Sequence, residues 1–513
     1  MKGIIFFVCG IAKPRQWLFV TALAQNKQRK LILAILIIWA AALFSTIALH
    51  HARRFHPDEA LYMTMARNAA VNGDWWLISL PLDKPPLTYY TNALSLNLLA
   101  VDSDASGVLQ LDVHKGEFAG RMPSLLMSVL LVAVVVALAK ALCKDACAAW
   151  FAGVLTALSP LRIVFAPTAF TDMPMLLFAT VALWMAARGR WACSGLWMMV
   201  SVAAKPQSVF YLPLIVAFVF LQYHRTKEFK RGLRHIIVFA GPLILGGLLL
   251  LLWDVGREAQ GAANIWAVGY LNYTPTRITP FADYASRWHE WWKTANHLFG
   301  DRWLTIGLLG IAAFGTVLRR RLVDWILLSW LVGFCALHML LTLNLFDRNL
   351  ILMLPIAAVW VANIGSKHIF TLSGCNICKL VVTIIILLWL TGLSYVAATG
   401  AFYIGGDDGT HDGIDVLADY LNSKPVATVI YDRWLDWELG FYMGQWTNKR
   451  RVYYPTPAQL VKGFQALDEI GTRYFVVPDT IDETAWLRAL GTAGIEASID
   501  FELPQFTVYA LQP

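Results

Sequence analysis

Between Leu31 and Ala398 the chain is a succession of apolar runs, each roughly 15–24 residues long, separated by short polar stretches. A helix of that length can cross a bilayer, where every backbone N–H and C=O must be satisfied within its own segment. The charged fraction, 15%, lies well below the ~25% of soluble domains, and 58% of the residues are hydrophobic. The pattern predicts an all-α polytopic membrane protein.

The basic residues set the direction of each crossing, because Lys and Arg favour the cytoplasmic side. They gather at Lys27–Lys30, Lys140 and Lys144, Arg188 and Arg190, His224–His235, Arg319–Arg321, and Lys367 with His368. Placing all of these inside gives about 11 spans, with the amino terminus in and the carboxyl terminus out. The runs are 31–49, 118–142, 146–166, 173–187, 191–204, 209–222, 236–253, 303–318, 323–343, 350–364 and 380–398. Leu87 to Val101 is apolar but short, and it carries Thr88, Thr91, Asn92, Ser95 and Asn97. It is expected to lie along the interface. If it crossed, every basic cluster from Lys140 onward would face outward. The net charge of +8 is accounted for by these clusters and calls for no nucleic acid.

The organisation that follows is a cytoplasmic arm at 1–30, a transmembrane domain at 31–400 with a large external loop at 50–117, and an extracytoplasmic domain at 405–513. The arm is no clean signal peptide, since the short run Gly3–Ala12 is broken by Lys13, Pro14 and Arg15. In the last domain Val426–Tyr431, Tyr474–Val477 and Phe506–Ala510 read as strands. Gly413–Leu421, Trp434–Met443 and Thr456–Leu467 read as helices, so a small α/β unit is expected.

Several chemistries find no support. There is no Walker-type phosphate loop, no zinc spacing, no serine-nucleophile elbow, and no Asp-x-Asp pair in the first outer segment. No metal and no cofactor is expected. The seven cysteines form no disulfide framework, and Cys375-x-x-Cys378 reads as free thiols at a helix end.

Charges close to lipid are the informative residues, since an ionised side chain within a span costs roughly 2.5–3.5 kcal/mol. On this topology Asp58, Glu59, Arg67, Lys84, Arg121, Asp172, Lys205, Arg257 and Arg348 share the outer face. Carboxylates can take a proton from a hydroxyl. Cations at the same depth can hold a phosphate and stabilise its charge as it leaves. Each residue also has a plainer role. Asp58 after Pro57 suits a helix start, Glu59 suits a partner for Arg53 or Arg54, and Asp172 after Thr171 suits a cap. Lys84 and Lys205 can snorkel, and Arg121 and Arg348 can anchor spans. Trp266, Trp288, Trp291, Trp292 and Trp303 suit an interfacial aromatic belt.

The motifs also occur in a telling order: His56-Pro57-Asp58-Glu59, Gly73-Asp74-Trp75, Asp83-Lys84-Pro85-Pro86, Leu87-Thr88-Tyr89-Tyr90, Arg121-Met122-Pro123-Ser124, Ser159-Pro160, Asp172 and Ala204-Lys205-Pro206. Over roughly residues 31–365 this resembles the membrane-embedded glycosyltransferases of the GT-C fold, closest to the aminoarabinose (lipid A) transferase and protein O-mannosyltransferase-like group. The resemblance implies a polyprenyl-phosphate-linked sugar as donor, a lipid, glycan or protein hydroxyl as acceptor, and inverting transfer at the outer face of the bacterial inner membrane. Asp58 would activate the acceptor with Glu59 beside it, either being the base. Asp172 would be a second acidic residue. Lys84 and Lys205 would bind the donor phosphate, with Arg257 and Arg348 as looser matches. Asp83 stands where aminoarabinose members often carry an aromatic or glutamate. The competing class is a lipid-linked-sugar flippase or transporter, which would place charges along a path through the spans.

Overall fold

The structure is a computed structural model that describes residues 27–226, 229–272, 276–368, 376–402, 409–444, 449–466 and 472–513. Most of the amino-terminal arm lies outside these residues, as do Cys375 and the side chain of Cys378. The membrane part is built from α1 (Lys27–His50), α2 (Pro57–Asn72), α3 (Leu87–Leu99), α4 (Val113–Cys143), α5 (Ala146–Ala157), α6 (Pro160–Phe165), α7 (Asp172–Ala187) and α8 (Trp191–Ala204). It continues through α9 (Leu212–Thr226), α10 (Phe229–Glu258), α11 (Ile265–Asn272), α12 (Tyr284–Ala295), α13 (Arg302–Arg319), α14 (Leu322–Leu340), α15 (Met353–His368) and α16 (Asn376–Ala398).

Among the described residues, seven helical segments are long and apolar enough to cross a membrane, and four shorter apolar ones accompany them. Together they cover the predicted runs. One run is divided: instead of a continuous helix over 146–166, the chain breaks between α5 and α6. There the Ser159 hydroxyl accepts the Arg162 N–H and Pro160 occupies the first helical position. On α6 the fully buried Arg162 guanidinium donates to the hydroxyls of Ser45 and Ser128 and to the carbonyls of Ala41, Thr156 and Ala157, tying α1, α4 and α5 together. The segment Asp347–Ser366, which takes in most of α15, is enclosed by the bundle, whereas α10 turns a row of leucines outward.

The segment between α1 and α4 holds two helices and a hairpin. The His56 ring accepts the Asp58 N–H at 3.1 Å, and Glu59 reaches back to the His56 N–H at 3.1 Å, so His56-Pro57-Asp58-Glu59 is a capping box. The other end of α2 stops at Gly73, in the left-handed region at φ 74°. The short helix α3 packs Tyr89, Ala93 and Leu96 inward and exposes Leu94, Leu98 and Leu99, and it is not among the span-length helices. The hairpin of β1 (Val101–Ser103) and β2 (Leu109–Leu111) was not expected. Its turn is made by Asp104, whose carboxylate accepts the N–H groups of Ser106 and Val108.

The carboxyl-terminal unit contains α17 (Ile414–Asn422), β3 (Val429–Asp432), α18 (Asp436–Tyr442), β4 (Arg450–Tyr453), α19 (Pro457–Ala466), β5 (Arg473–Pro478), α20 (Thr484–Thr492), β6 (Glu496–Leu503) and β7 (Phe506–Gln512). The strands form one sheet in the order β4-β3-β5-β7-β6. β3 runs parallel to β4 and β5, while β7 is antiparallel to β5 and β6. The α/β expectation holds, with β4, β6 and α20 added to it.

Candidate active site

The capping box sends its two carboxylates in different directions. Glu59 points into the bundle, its side chain 6% exposed. Its two oxygens accept from Arg121 Nε at 3.2 Å and Nη2 at 3.1 Å, from the Ala169 N–H at 2.8 Å and from the His56 N–H at 3.1 Å. The partner expected for it was Arg53 or Arg54. Instead Arg54 pairs with Glu117 at 2.7 Å, and Arg53 lies 3.3 Å from Asp412.

Asp58 keeps 37% of its side chain exposed. Arg348, from the 3-10 turn Asp347–Leu352, donates to it at 2.5 Å while resting over Phe170 and Phe346. Burial pushes the Asp58 carboxyl upward, but Arg348, His56 and Lys84 outweigh it and hold the group below the usual carboxylate value. One turn along α2, Tyr62 is buried with its phenol pushed up by desolvation, so it stays neutral. The Lys84 ammonium lies 5.0 Å from the centre of the Tyr62 ring.

Lys84 and Lys205 are both almost fully buried. Lys84 pairs with Asp83, which also accepts from the Tyr89 hydroxyl at 3.4 Å. Lys205 stands in extended backbone between α8 and the 3-10 turn Pro206–Tyr211, and its Nζ lies 2.7 Å from Asp172 in the first turn of α7. Lys84 and Arg348 both lie within electrostatic range of Lys205. Beside the two lysines opens a cavity of about 350 Å³. Phe210, Trp266 and Tyr270 supply apolar wall, and Gln207, His338 and Asn349 supply polar groups. The Gln207 side-chain oxygen is buried there and has no hydrogen-bond partner among the described residues.

Arg257 stands apart from this cluster. Its fully buried guanidinium is spent on Asp254 at 2.9 Å and on the carbonyls of Trp76, Leu77 and Ala263. It clamps the outer loop to the end of α10, and a phosphate-binding role is not what its geometry offers. The aromatic belt is also incomplete: Trp266, Trp288 and Trp303 are exposed, but Trp291 is buried.

Sequence reasoning missed Asp83, Tyr62 and Tyr89 as members of the cluster. Tyr62 had a signal, lying four residues after Asp58 on the same helix face. Gln207, His338 and Asn349 had none, because separate segments bring them together. Among the described residues no group of three or more His, Cys, Asp or Glu is arranged to hold a metal ion.

On its far side α2 is held by α18. The Tyr442 hydroxyl accepts the Phe55 N–H at 3.0 Å and contacts Glu117, and Thr64 donates to the Trp437 carbonyl at 2.9 Å. Gly440 packs so closely on Thr64 that an added Cβ would lie 2.8 Å from its methyl.

Residues 83–253 match the family described as dolichyl-phosphate-mannose-protein mannosyltransferase. A comparison with curated proteins finds no match. Among solved structures, apo ArnT from Cupriavidus metallidurans is similar at a TM-score of 0.63 and 14% identity, over 93% of this chain and 97% of that one. The same enzyme bound to undecaprenyl phosphate gives 0.59 at 14% identity, with the same coverage. The archaeal oligosaccharyltransferase AglB from Archaeoglobus fulgidus, in complex with an inhibitory peptide and a dolichol-phosphate, gives 0.51 at 11% identity, over 86% of this chain and 69% of that one. These neighbours are glycosyltransferases. The chain is a multi-pass membrane protein with the GT-C fold of membrane glycosyltransferases.

Proposed function

We propose that the protein transfers a sugar from a polyprenyl-phosphate donor to a hydroxyl of a lipid, glycan or protein, with inversion, at the outer face of the bacterial inner membrane. The observation that carries this reading is one partly exposed, ionised carboxylate, Asp58, held by Arg348 within reach of Lys84, which with Lys205 lines a cavity of about 350 Å³. The undecaprenyl phosphate bound to ArnT and the dolichol-phosphate bound to AglB support a donor of that class.

Asp58 is the base. It accepts the proton of the acceptor hydroxyl as that oxygen attacks the anomeric carbon from the face opposite the phosphate. The bond from the anomeric carbon to the phosphate oxygen breaks, and the electron pair leaves on polyprenyl phosphate. Lys84 and Lys205 hold that phosphate and stabilise its growing charge. Asp172 keeps Lys205 in place and charged, Arg348 keeps Asp58 ionised, and Arg257 fixes the loop that carries Lys84. Glu59 braces the helix through Arg121 and is not the base. The polar wall at Gln207, His338 and Asn349 faces the sugar. A phosphate leaving group needs little protonation, so one carboxylate and these cations suffice.

The domains follow the same reading. Residues 31–400 carry the transferase and begin after a cytoplasmic arm. Residues 405–513 lie outside, a placement supported by the packing of α18 on the Asp58-bearing α2.

The test supplies radiolabelled sugars on a panel of polyprenyl phosphates to membranes containing the protein. Label in an acceptor, with release of free polyprenyl phosphate, is the expected result. Movement of intact donor across vesicles, with its glycosidic bond unbroken, would replace this reading with that of a flippase.

A further inference from the structure

At the ends of α7 and α8 opposite Asp172 and Lys205 lies another depression, of about 510 Å³. The 16 residues of α7 put it about 24 Å from the catalytic cluster, across the bilayer core. Arg190, Trp191, Arg234, His235 and Val238 line it. The His235 ring stacks on Trp191 with centroids 5.1 Å apart. Arg190 and Arg234 are exposed, and among the described residues neither guanidinium pairs with a carboxylate. Lys230, one turn before Arg234 on α10, is exposed as well, as is Arg188. At the outer cluster, by contrast, Lys84, Lys205, Arg121 and Arg348 each face a carboxylate. Like charges four residues apart repel unless an anion lies between them.

The depression is held by rigid backbone. Below it α8 and α10 cross so closely at Gly195 that a Cβ there would collide with the Phe239 carbonyl oxygen. Arg190 and Arg234 therefore keep a fixed relation. An apolar surface leads away from it along α10, where Leu233, Ile236 and Ile237 are 50%, 43% and 62% exposed. Cations at one end and a lipid-facing helix at the other match an anionic amphiphile.

We propose that this depression binds the phosphate of an anionic membrane lipid in the leaflet opposite the catalytic cluster, with the acyl chains lying along α10. The inference does not depend on the transferase reading. It rests on two arginines, Arg190 and Arg234, that line the depression with no carboxylate among its lining residues, and on the apolar path that adjoins them. Inorganic phosphate offers the same head-group chemistry without the chains, so it serves as a control.

The full chain, purified in detergent, is loaded with phosphatidylglycerol, phosphatidylcholine or inorganic phosphate, and retained ligand is counted by native mass spectrometry. Three proteins are compared: wild type, the double variant Arg190→Gln with Arg234→Gln, and Arg320→Gln with Arg321→Gln, which removes exposed cations from another basic turn. One phosphatidylglycerol retained by wild type and by the Arg320/Arg321 variant, with roughly 30-fold weaker retention in the Arg190/Arg234 variant, is expected. Thermal unfolding of each protein confirms that the counted species is folded. Equal loss in both variants, equal retention of phosphatidylcholine, or displacement of the lipid by inorganic phosphate would each overturn the proposal.

Discussion

Asp58 and Glu59 are neighbours in sequence and nearly identical in chemistry, yet they serve opposite ends. On a helix, successive side chains point about 100° apart. Glu59 therefore turns inward, where two guanidinium N–H groups and two backbone N–H groups occupy both its oxygens. Asp58 turns toward the lysines with one arginine for company and part of its surface open. A carboxylate whose lone pairs are committed cannot accept a proton without dismantling its surroundings. One with a single partner can. In this geometry the acid pair divides into a brace, Glu59, and a carboxylate left open to act as the proposed base, Asp58.

The largest effects test that division directly. Replacing Asp58 with Asn is expected to lower the transfer rate by about 10²–10⁴-fold while costing less thermal stability than loss of Glu59, since Arg348 is less deeply buried than Arg121. Replacing Glu59 with Gln should do the reverse. It leaves Arg121 buried without its charge, at a cost of about 3–5 kcal/mol, read as a lowered Tm and reduced yield, with activity per folded molecule largely kept. If Glu59→Gln folded normally and lost turnover, the two roles would be exchanged.

Lys84→Gln removes one cation from the leaving phosphate, and a drop in kcat of about 10²–10³-fold is expected. Lys205→Gln should lose activity similarly, and since Lys84→Gln strands Asp83 while Lys205→Gln strands the more deeply buried Asp172, both should lose stability, Lys205→Gln the more.

Arg348→Gln probes the state of Asp58. Asp58 is ionised above its depressed pKa, so the wild-type rate should stay flat until the solution becomes strongly acidic. Without Arg348, burial becomes the dominant influence and raises the carboxyl. Activity should then fail at a higher pH as the solution is acidified, and an unmoved acid limb in the pH–rate profile would show that Arg348 does not govern Asp58. The smallest effect is expected from Tyr442→Phe. It leaves the Phe55 N–H unpaired, at a cost of about 1–3 kcal/mol. Because Tyr442 touches the start of α2 and not the lysines, kcat should fall a few-fold with KM for the donor unchanged.

Much of this was legible in the sequence. Span-length hydrophobicity placed the helices, because lipid leaves few other options for such segments. The short motifs singled out Asp58, Lys84, Asp172 and Lys205, which the fold places on helix starts or turns of neighbouring elements, because local spacing fixes a helix start or a turn. What was not legible depends on distance. Arg348 meets Asp58 across 290 positions, and nothing near either residue announces the other. Arg257 looked like Arg348 in sequence, an arginine at the end of an apolar run, but two of its carbonyl partners, those of Trp76 and Leu77, come from a loop some 180 positions earlier. The break at Ser159 was obscured by the unbroken hydrophobicity around it. The strands β4 and β6 were missed because half-exposed edge strands carry too little apolar pattern to stand out.

The most direct measurement is a single-turnover experiment with purified protein loaded with labelled donor, comparing wild type, Asp58→Asn and Glu59→Gln. The account predicts that Asp58→Asn binds donor as wild type does but releases no polyprenyl phosphate, whereas folded Glu59→Gln transfers its sugar. Normal turnover by Asp58→Asn, with none from folded Glu59→Gln, would contradict it.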